Sequence, residues 1–211
     1  MKILVISGFL GAGKTTFIKE LAKRTKQDFA VMENEYGAGG VDGGLLSEGN
    51  EDSDVPLNIW ELTEGCICCT RKSDFATSIL TIANTIDPEY LIVEPTGVGM
   101  LSKIIENIKM IQYERISLLS PITILDGAHF EEMLDKFPET CRDQIQAAGL
   151  VVISKKENAD EKERIDLEEK VKSISPQANI CSIHYSQMDE LWWRNLLKKP
   201  LDEKQMAEKE E

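Results

Sequence analysis

Residues Gly8-Phe9-Leu10-Gly11-Ala12-Gly13-Lys14-Thr15-Thr16 set an ammonium and two hydroxyls behind a glycine-rich turn, directly after the apolar run Ile3-Leu4-Val5-Ile6. The spacing Gly-x-x-x-x-Gly-Lys-Thr is that of a phosphate-binding loop. Its glycines let successive backbone N–H groups point at phosphate oxygens. Lys14 can reach the β and γ phosphates of a nucleotide, and the Thr15 hydroxyl can ligate Mg²⁺. A strand before the loop and a helix after it are the context this chemistry needs. Apolar residues at Phe17, Ile18, Leu21 and Ala22 predict that helix from Thr15 to Lys26.

A second cluster, Cys66-Ile67-Cys68-Cys69, follows Gly65 and another apolar run. Thiolates are soft ligands that suit Zn²⁺, Co²⁺, Ni²⁺ or Cu(I). Cysteines two apart in extended chain face the same way, and a turn at Cys69 can bring in the third sulfur. Three sulfurs leave one position for a carboxylate, an imidazole or water. That arrangement suits a carrier better than a closed structural site. The chain has five cysteines, an odd number with three of them in four positions. This is no disulfide framework, so the expected compartment is the reducing cytoplasm.

The elements that must position these groups alternate along the chain. Strands are predicted at Lys2–Ser7, Phe29–Glu33, Leu57–Leu62, Glu89–Val93, Ile122–Leu125, Leu150–Ser154 and Asn179–Ile183. Several are almost continuously apolar, as strands buried on both faces are. Helices are predicted near 15–26, 73–85, 101–112, 128–136, 139–147 and 160–174, and a last one over Asp189–Leu197 docks Trp192 and Trp193. The alternation predicts an α/β fold, a three-layer α/β/α sandwich around a mostly parallel sheet. Residues 37–54 break the rhythm with six glycines and five acids, so 37–56 reads as a flexible loop. The domain is expected to cover 1–200, with a charged, disordered tail at 201–211.

At 211 residues and 42% hydrophobic, the chain can build one core. Its 24 basic and 37 acidic residues give a formal charge of −13. That balance argues against nucleic acid or an anionic membrane as partner. No apolar run is long enough to span a bilayer, and the N-terminus does not read as a signal peptide.

The two motifs together resemble the CobW-type P-loop GTPases, relatives of HypB and UreG, which act as metallochaperones or metal-insertion factors. The resemblance extends through almost the whole chain and implies a P-loop NTPase. Asn34-Glu35-Tyr36-Gly37 with Val41-Asp42 is similar to the family's switch I segment. Val93-Glu94-Pro95-Thr96-Gly97 is similar to its Walker B and switch II segment, and Thr123-Ile124-Leu125-Asp126 to the next strand. The resemblance implies that Gly8, Gly11, Ala12, Gly13, Lys14, Thr15 and Thr16 hold GTP or GDP, with Thr15 on Mg²⁺. Glu94 would hold a Mg²⁺-bound water, and Gly97 would offer its N–H to the γ-phosphate. Lys14, Thr15 and Glu94 are the implied catalytic set. Cys66, Cys68 and Cys69 would hold the transported Zn²⁺, Co²⁺ or Ni²⁺, with Glu35 as carboxylate partner.

Two features depart from the family pattern. Where the family carries Asn-Lys-x-Asp for guanine, this chain has Ser154-Lys155-Lys156-Glu157. Lys155 is retained, Ser154 replaces the Asn, and the longer Glu157 replaces the Asp, which weakens guanine preference and leaves ATP open. The family also adds a C-terminal domain with a histidine-rich stretch, whereas only His129 and His184 occur here. The expectation is a minimal GTPase domain whose partner is a client metalloprotein or a separate chain resembling that domain, with a homodimer as one way to raise slow turnover. The leading reading is a GTP-hydrolysing, nucleotide-gated metallochaperone. Competing readings are a non-hydrolysing nucleotide-binding adaptor for a metalloenzyme or cobalamin-related client, and a small-molecule kinase.

Overall fold

The computed structural model describes residues 1–34, 57–62 and 72–201. Among the described residues, eight strands and seven α-helices follow one another: β1 (Lys2–Ser7), α1 (Lys14–Thr25), β2 (Phe29–Asn34), β3 (Leu57–Leu62), α2 (Lys72–Thr85), β4 (Tyr90–Glu94), α3 (Leu101–Lys109), β5 (Ser117–Leu118), β6 (Ile122–Asp126), α4 (Phe130–Lys136), α5 (Pro138–Ala147), β7 (Leu150–Ser154), α6 (Glu161–Ile174), β8 (Ile180–Cys181) and α7 (Glu190–Leu196), with a 3₁₀ turn at Tyr185–Gln187. The strands order as β3-β2-β4-β1-β6-β7-β8, and every strand pair is parallel. The predicted loop 37–56 lies outside the described residues, as does the predicted tail 201–211 apart from Leu201, whose amide donates to the Leu118 carbonyl (3.1 Å).

Alternate side chains of each strand serve opposite layers, because successive Cβ atoms point to opposite faces. Leu4, Ile6, Val31 and Ile92 pack with Phe17, Ile18 and Leu21 of α1 and with Trp193 of α7. Ile3, Val5, Met32 and Val93 pack on the other face with Ile79 of α2, Ile104 and Ile108 of α3, Ile145 of α5 and Val171 of α6. This is the three-layer sandwich that the alternation predicts. Trp193 is fully buried against Phe17 and Tyr185, ring centroids 5.1 and 5.9 Å away, so the last helix docks as expected. No helix among the described residues is long and apolar enough to cross a membrane.

β1 sits where the strand order reverses, with β4 on one flank and β5 and β6 sharing the other. In such sheets ligands bind beyond the carboxyl ends of the strands at the reversal. Lys2 and Ile3 pair with Ser117 and Leu118, while Ile6 and Ser7 pair with Ile122 and Thr123. Pro121 stands between the two pieces and has no N–H for a ladder; just before it, the Leu119 amide still donates to the Ile3 carbonyl (2.8 Å), while Leu118 and Ser120 also bond residues 201 and 199. The predicted strand at Asn179–Ile183 shortens to Ile180–Cys181. Among the described residues it pairs with β7 alone, and Ile183 already turns outward. The predicted helix 101–112 ends at Lys109, after which Ile111 and Gln112 make tighter i→i−3 bonds to Ile108 and Lys109.

Candidate nucleotide site

The loop between β1 and α1 is shaped by three glycines with positive φ: Gly8 at 143°, Gly11 at 74° and Gly13 at 98°. Gly8 also has no room for a side chain, since a Cβ there would lie 2.3 Å from the Ile124 carbonyl oxygen on β6. The Ala12 amide donates to the Phe9 carbonyl (3.0 Å), closing the turn. Gly13 caps α1 in the left-handed conformation with no side-chain cap bond. The first turn of α1 therefore starts with no side-chain cap on its N–H groups, as an anion site requires. Thr15 is half-buried at that turn and Thr16 is exposed.

Lys14 is buried, 6% exposed, and its ammonium donates to the Phe9 carbonyl (3.3 Å). The same ammonium lies 3.6 Å from the carboxylate of Glu94, itself buried at the carboxyl end of β4. One acid the sequence reading missed lies beside it: Glu33, 5% exposed, is in parallel register with Glu94 across β2 and β4. Nothing in the sequence marks Glu33 except its place at the end of an apolar strand; its burial follows from β2 lying between two neighbours.

The turn after β4 presses against the loop. A Cβ on Gly97 would stand 2.4 Å from the Leu10 amide nitrogen, so only glycine fits. The Gly99 amide closes the turn on the Thr96 carbonyl (2.9 Å). Gln144 of α5, 1% exposed, donates its side-chain amide to the carbonyls of both Gly97 and Gly99 at 3.1 Å. The sequence reading missed Gln144 too, because a glutamine inside a charged helix looks like solvent-facing chain.

On the other flank, Ser154 ends β7 buried, with its hydroxyl 2.6 Å from the Ala12 carbonyl and 3.1 Å from that of Leu125. A hydroxyl has one proton to give, so the shorter bond to the loop dominates. Ser154 thus ties the phosphate loop to β7. Lys155 has a positive φ of 57° and pairs with Asp126 at 3.0 Å. The His129 ring contacts the same Asp126 oxygen at 3.0 Å. Burial alone would raise the Asp126 pKa; hydrogen bonds from Lys155 and His129 and the Lys155 charge outweigh it, so the carboxyl sits below its usual range. Glu157 lies 3.3 Å from His184 Nε2. The other His184 nitrogen, Nδ1, accepts from the Ser186 amide, which leaves Nε2 to carry the proton toward Glu157.

Gly8 to Thr16 therefore form one loop that Glu94, Gly97 and Ser154 meet, and Lys155 and Glu157 make separate contacts, an ion pair with Asp126 and a hydrogen bond from His184. Glu35, Cys66, Cys68 and Cys69 lie outside the described residues. Among the described residues, no group of three His, Cys, Asp or Glu side chains could hold a metal ion. The other two cysteines, Cys141 and Cys181, are buried in opposite layers, and burial pushes both thiols up to about 11.

The sequence profile of the family described as CobW/HypB/UreG, nucleotide-binding domain, matches residues 2–182. The zinc chaperone YeiR of Escherichia coli is 35% identical over 154 residues, covering 72% of this chain and 45% of YeiR. The zinc chaperone YjiA of the same organism is 28% identical over 195 residues, 89% of this chain and 58% of YjiA. The crystal structure of Zn(II)-bound YjiA GTPase superposes with a TM-score of 0.62 at 21% identity, covering 93% of this chain and 60% of that one. The chain thus spans about half the length of the curated relatives it matches, between 45% and 58%. On the profile match across its length, the chain belongs to the CobW/HypB/UreG family, through that family's nucleotide-binding domain.

Proposed function

We propose that this chain is the nucleotide-binding part of a GTP-dependent metallochaperone that carries a transition metal at Cys66, Cys68 and Cys69 with Glu35. The observation that carries the nucleotide half is the convergence of Lys14, Glu94 and Gly97 on one glycine-built loop. The names of its relatives, zinc chaperones, support the metal half and favour Zn²⁺ over Co²⁺ or Ni²⁺.

Lys14 is placed to move from the Phe9 carbonyl onto the β and γ phosphates. The loop amides from Gly11 to Thr16 bind the phosphate oxygens, and the Gly97 amide, beside Leu10, contacts the terminal phosphate. Thr15 and Glu94 are hard oxygen donors at the ends of α1 and β4, which fits Mg²⁺, directly on the hydroxyl and through water on the carboxylate. That ion would supply charge neutralisation at the phosphate oxygens. The residues' contribution is positioning and electrostatics, as phosphoryl transfer to water asks. Lys155 and Glu157 read the base, with Glu157 accepting from guanine. Loss of the γ-phosphate releases the turn at Gly97 and the segment carrying Glu35, and metal affinity changes with it. The client is a metalloprotein that accepts the metal.

The test is Zn²⁺ affinity of the full chain with GDP and with a non-hydrolysable GTP analogue. The expected result is a difference of about 10-fold or more between the two, the scale of ordinary site coupling. Equal affinities would remove the gating. A Cys66→Ser, Cys68→Ser, Cys69→Ser chain that kept full Zn²⁺ affinity would remove the cysteine site.

A further inference from the structure

Gly97 presents a physical problem. It must be glycine, because Leu10 leaves no space for a Cβ. A glycine without steric restraint has wide φ/ψ freedom, so nothing in the residue itself fixes where its amide points. The restraint comes from outside the turn. Gln144 Nε2 has two protons, and they go to the carbonyls of Gly97 and Gly99, both at 3.1 Å. The opposite orientation of that amide would set an acceptor against two acceptors, so the contacts determine which end faces the turn.

The residue that grips is itself anchored. Thr123 of β6 donates its hydroxyl to the Gln144 carbonyl at 2.8 Å, and Thr123 is in register with Ser7, the last residue before the loop. One residue earlier on α5, the Asp143 carboxylate accepts from the Ser102 amide at 3.2 Å, holding the far end of the same segment. At the start of α5 the ring of Phe137 lies 5.8 Å from that of Phe9 in the phosphate loop. Helix α5 thus holds both the loop and the turn that faces it.

We propose that Gln144 is a positioning residue that aims the Gly97 amide at the terminal phosphate, so that α5 sets how strongly the site distinguishes triphosphate from diphosphate. This deepens the nucleotide-binding reading above and rests on it. The diphosphate contacts the loop alone, whereas the terminal phosphate also needs the turn. Loss of the grip therefore weakens triphosphate binding and hydrolysis selectively.

The experiment measures GDP affinity, affinity for a non-hydrolysable GTP analogue, and kcat and KM for GTP in the full chain and two variants. Gln144→Glu keeps the side-chain size but turns both donors into acceptors facing carbonyls. It is expected to lower kcat about 100-fold, the cost of misplacing a group by about 1 Å. Its preference for triphosphate over diphosphate should fall about 10-fold, with GDP affinity within about 3-fold of wild type. Asp143→Ala, on a half-buried side chain, should move the same ratio in the same direction by about 3-fold. An unchanged ratio and kcat in Gln144→Glu would overturn the proposal, as would an equal loss of both nucleotides, which is the mark of ordinary packing. If Gln144→Glu does not fold, an unchanged ratio in Asp143→Ala overturns it instead. A wild-type chain that binds both nucleotides but does not turn over GTP refutes the GTPase reading, while the binding ratio still decides the role of Gln144.

Discussion

At the Gly8–Gly97 end of the site, the contacts are made by backbone in places where a single carbon would collide: with the Ile124 carbonyl at Gly8 and with the Leu10 amide at Gly97. At the Lys155–Glu157 end they are made by long side chains, with Lys155 43% and Glu157 55% exposed. The first end tolerates almost no substitution and offers a fixed array of dipoles. The second is assembled from one ion pair, Lys155 with Asp126, and one hydrogen bond, His184 to Glu157, each worth little on its own. On the proposed reading, phosphate recognition is set by the fold, and recognition of the base can drift one side chain at a time. Of the two replacements, Glu157 for Asp falls at the end that can absorb it, whereas Ser154 for Asn falls on a buried hydroxyl that ties β7 to the rigid loop.

Three changes test that contrast. The largest effect is expected from Gly97→Ala, whose methyl must displace the loop backbone; GTP turnover should fall about 100-fold, read by phosphate release. A turnover within a few-fold of wild type would mean the contact yields, and the rigid end is not rigid. Glu157→Gln is expected to act on selectivity instead. The amide keeps one acceptor but loses the charge, and GTP preference over ATP should drop about 10-fold in competition binding while total phosphate affinity holds. A loss of both nucleotides alike would erase the distinction between the two ends.

The smallest effect concerns pH. The Asp126 carboxyl has its pKa lowered in the folded state, so the unfolded chain binds its proton more readily. Its contribution is present above the ordinary carboxylate value of about 4 and is lost as pH falls through the lower folded value. Asp126→Asn should flatten the acid limb of a denaturation series between about pH 5 and pH 3, by less than about 1 kcal/mol given partial solvent screening. An unaltered limb would show that the Lys155 and His129 contacts carry no stability.

The same division explains what could be read from the sequence. A loop built from backbone needs glycines at fixed spacing, so Gly8, Gly11, Gly13 and Lys14 announce themselves. Strands buried on both faces need continuous apolar runs, which is why Lys2–Ser7 and Leu150–Ser154 can be placed from the sequence. β5 escaped because two residues cannot show a period. Glu33 and Gln144 escaped because their importance comes from burial between neighbours distant in sequence. Ser154 was visible as a position, but only the folded chain reveals that its hydroxyl is spent on Ala12.

The two buried thiols have a practical consequence. With Cys141 and Cys181 held near 11, only roughly one part in ten thousand of each is thiolate at neutral pH, and both are closed to solvent. A thiol reagent added to the folded chain is therefore silent at these two positions. Any fast-reacting sulfur counted by such a reagent belongs to the other three cysteines, Cys66, Cys68 and Cys69. The core supplies its own blank, and simple alkylation becomes a direct gauge of whether that cluster is occupied.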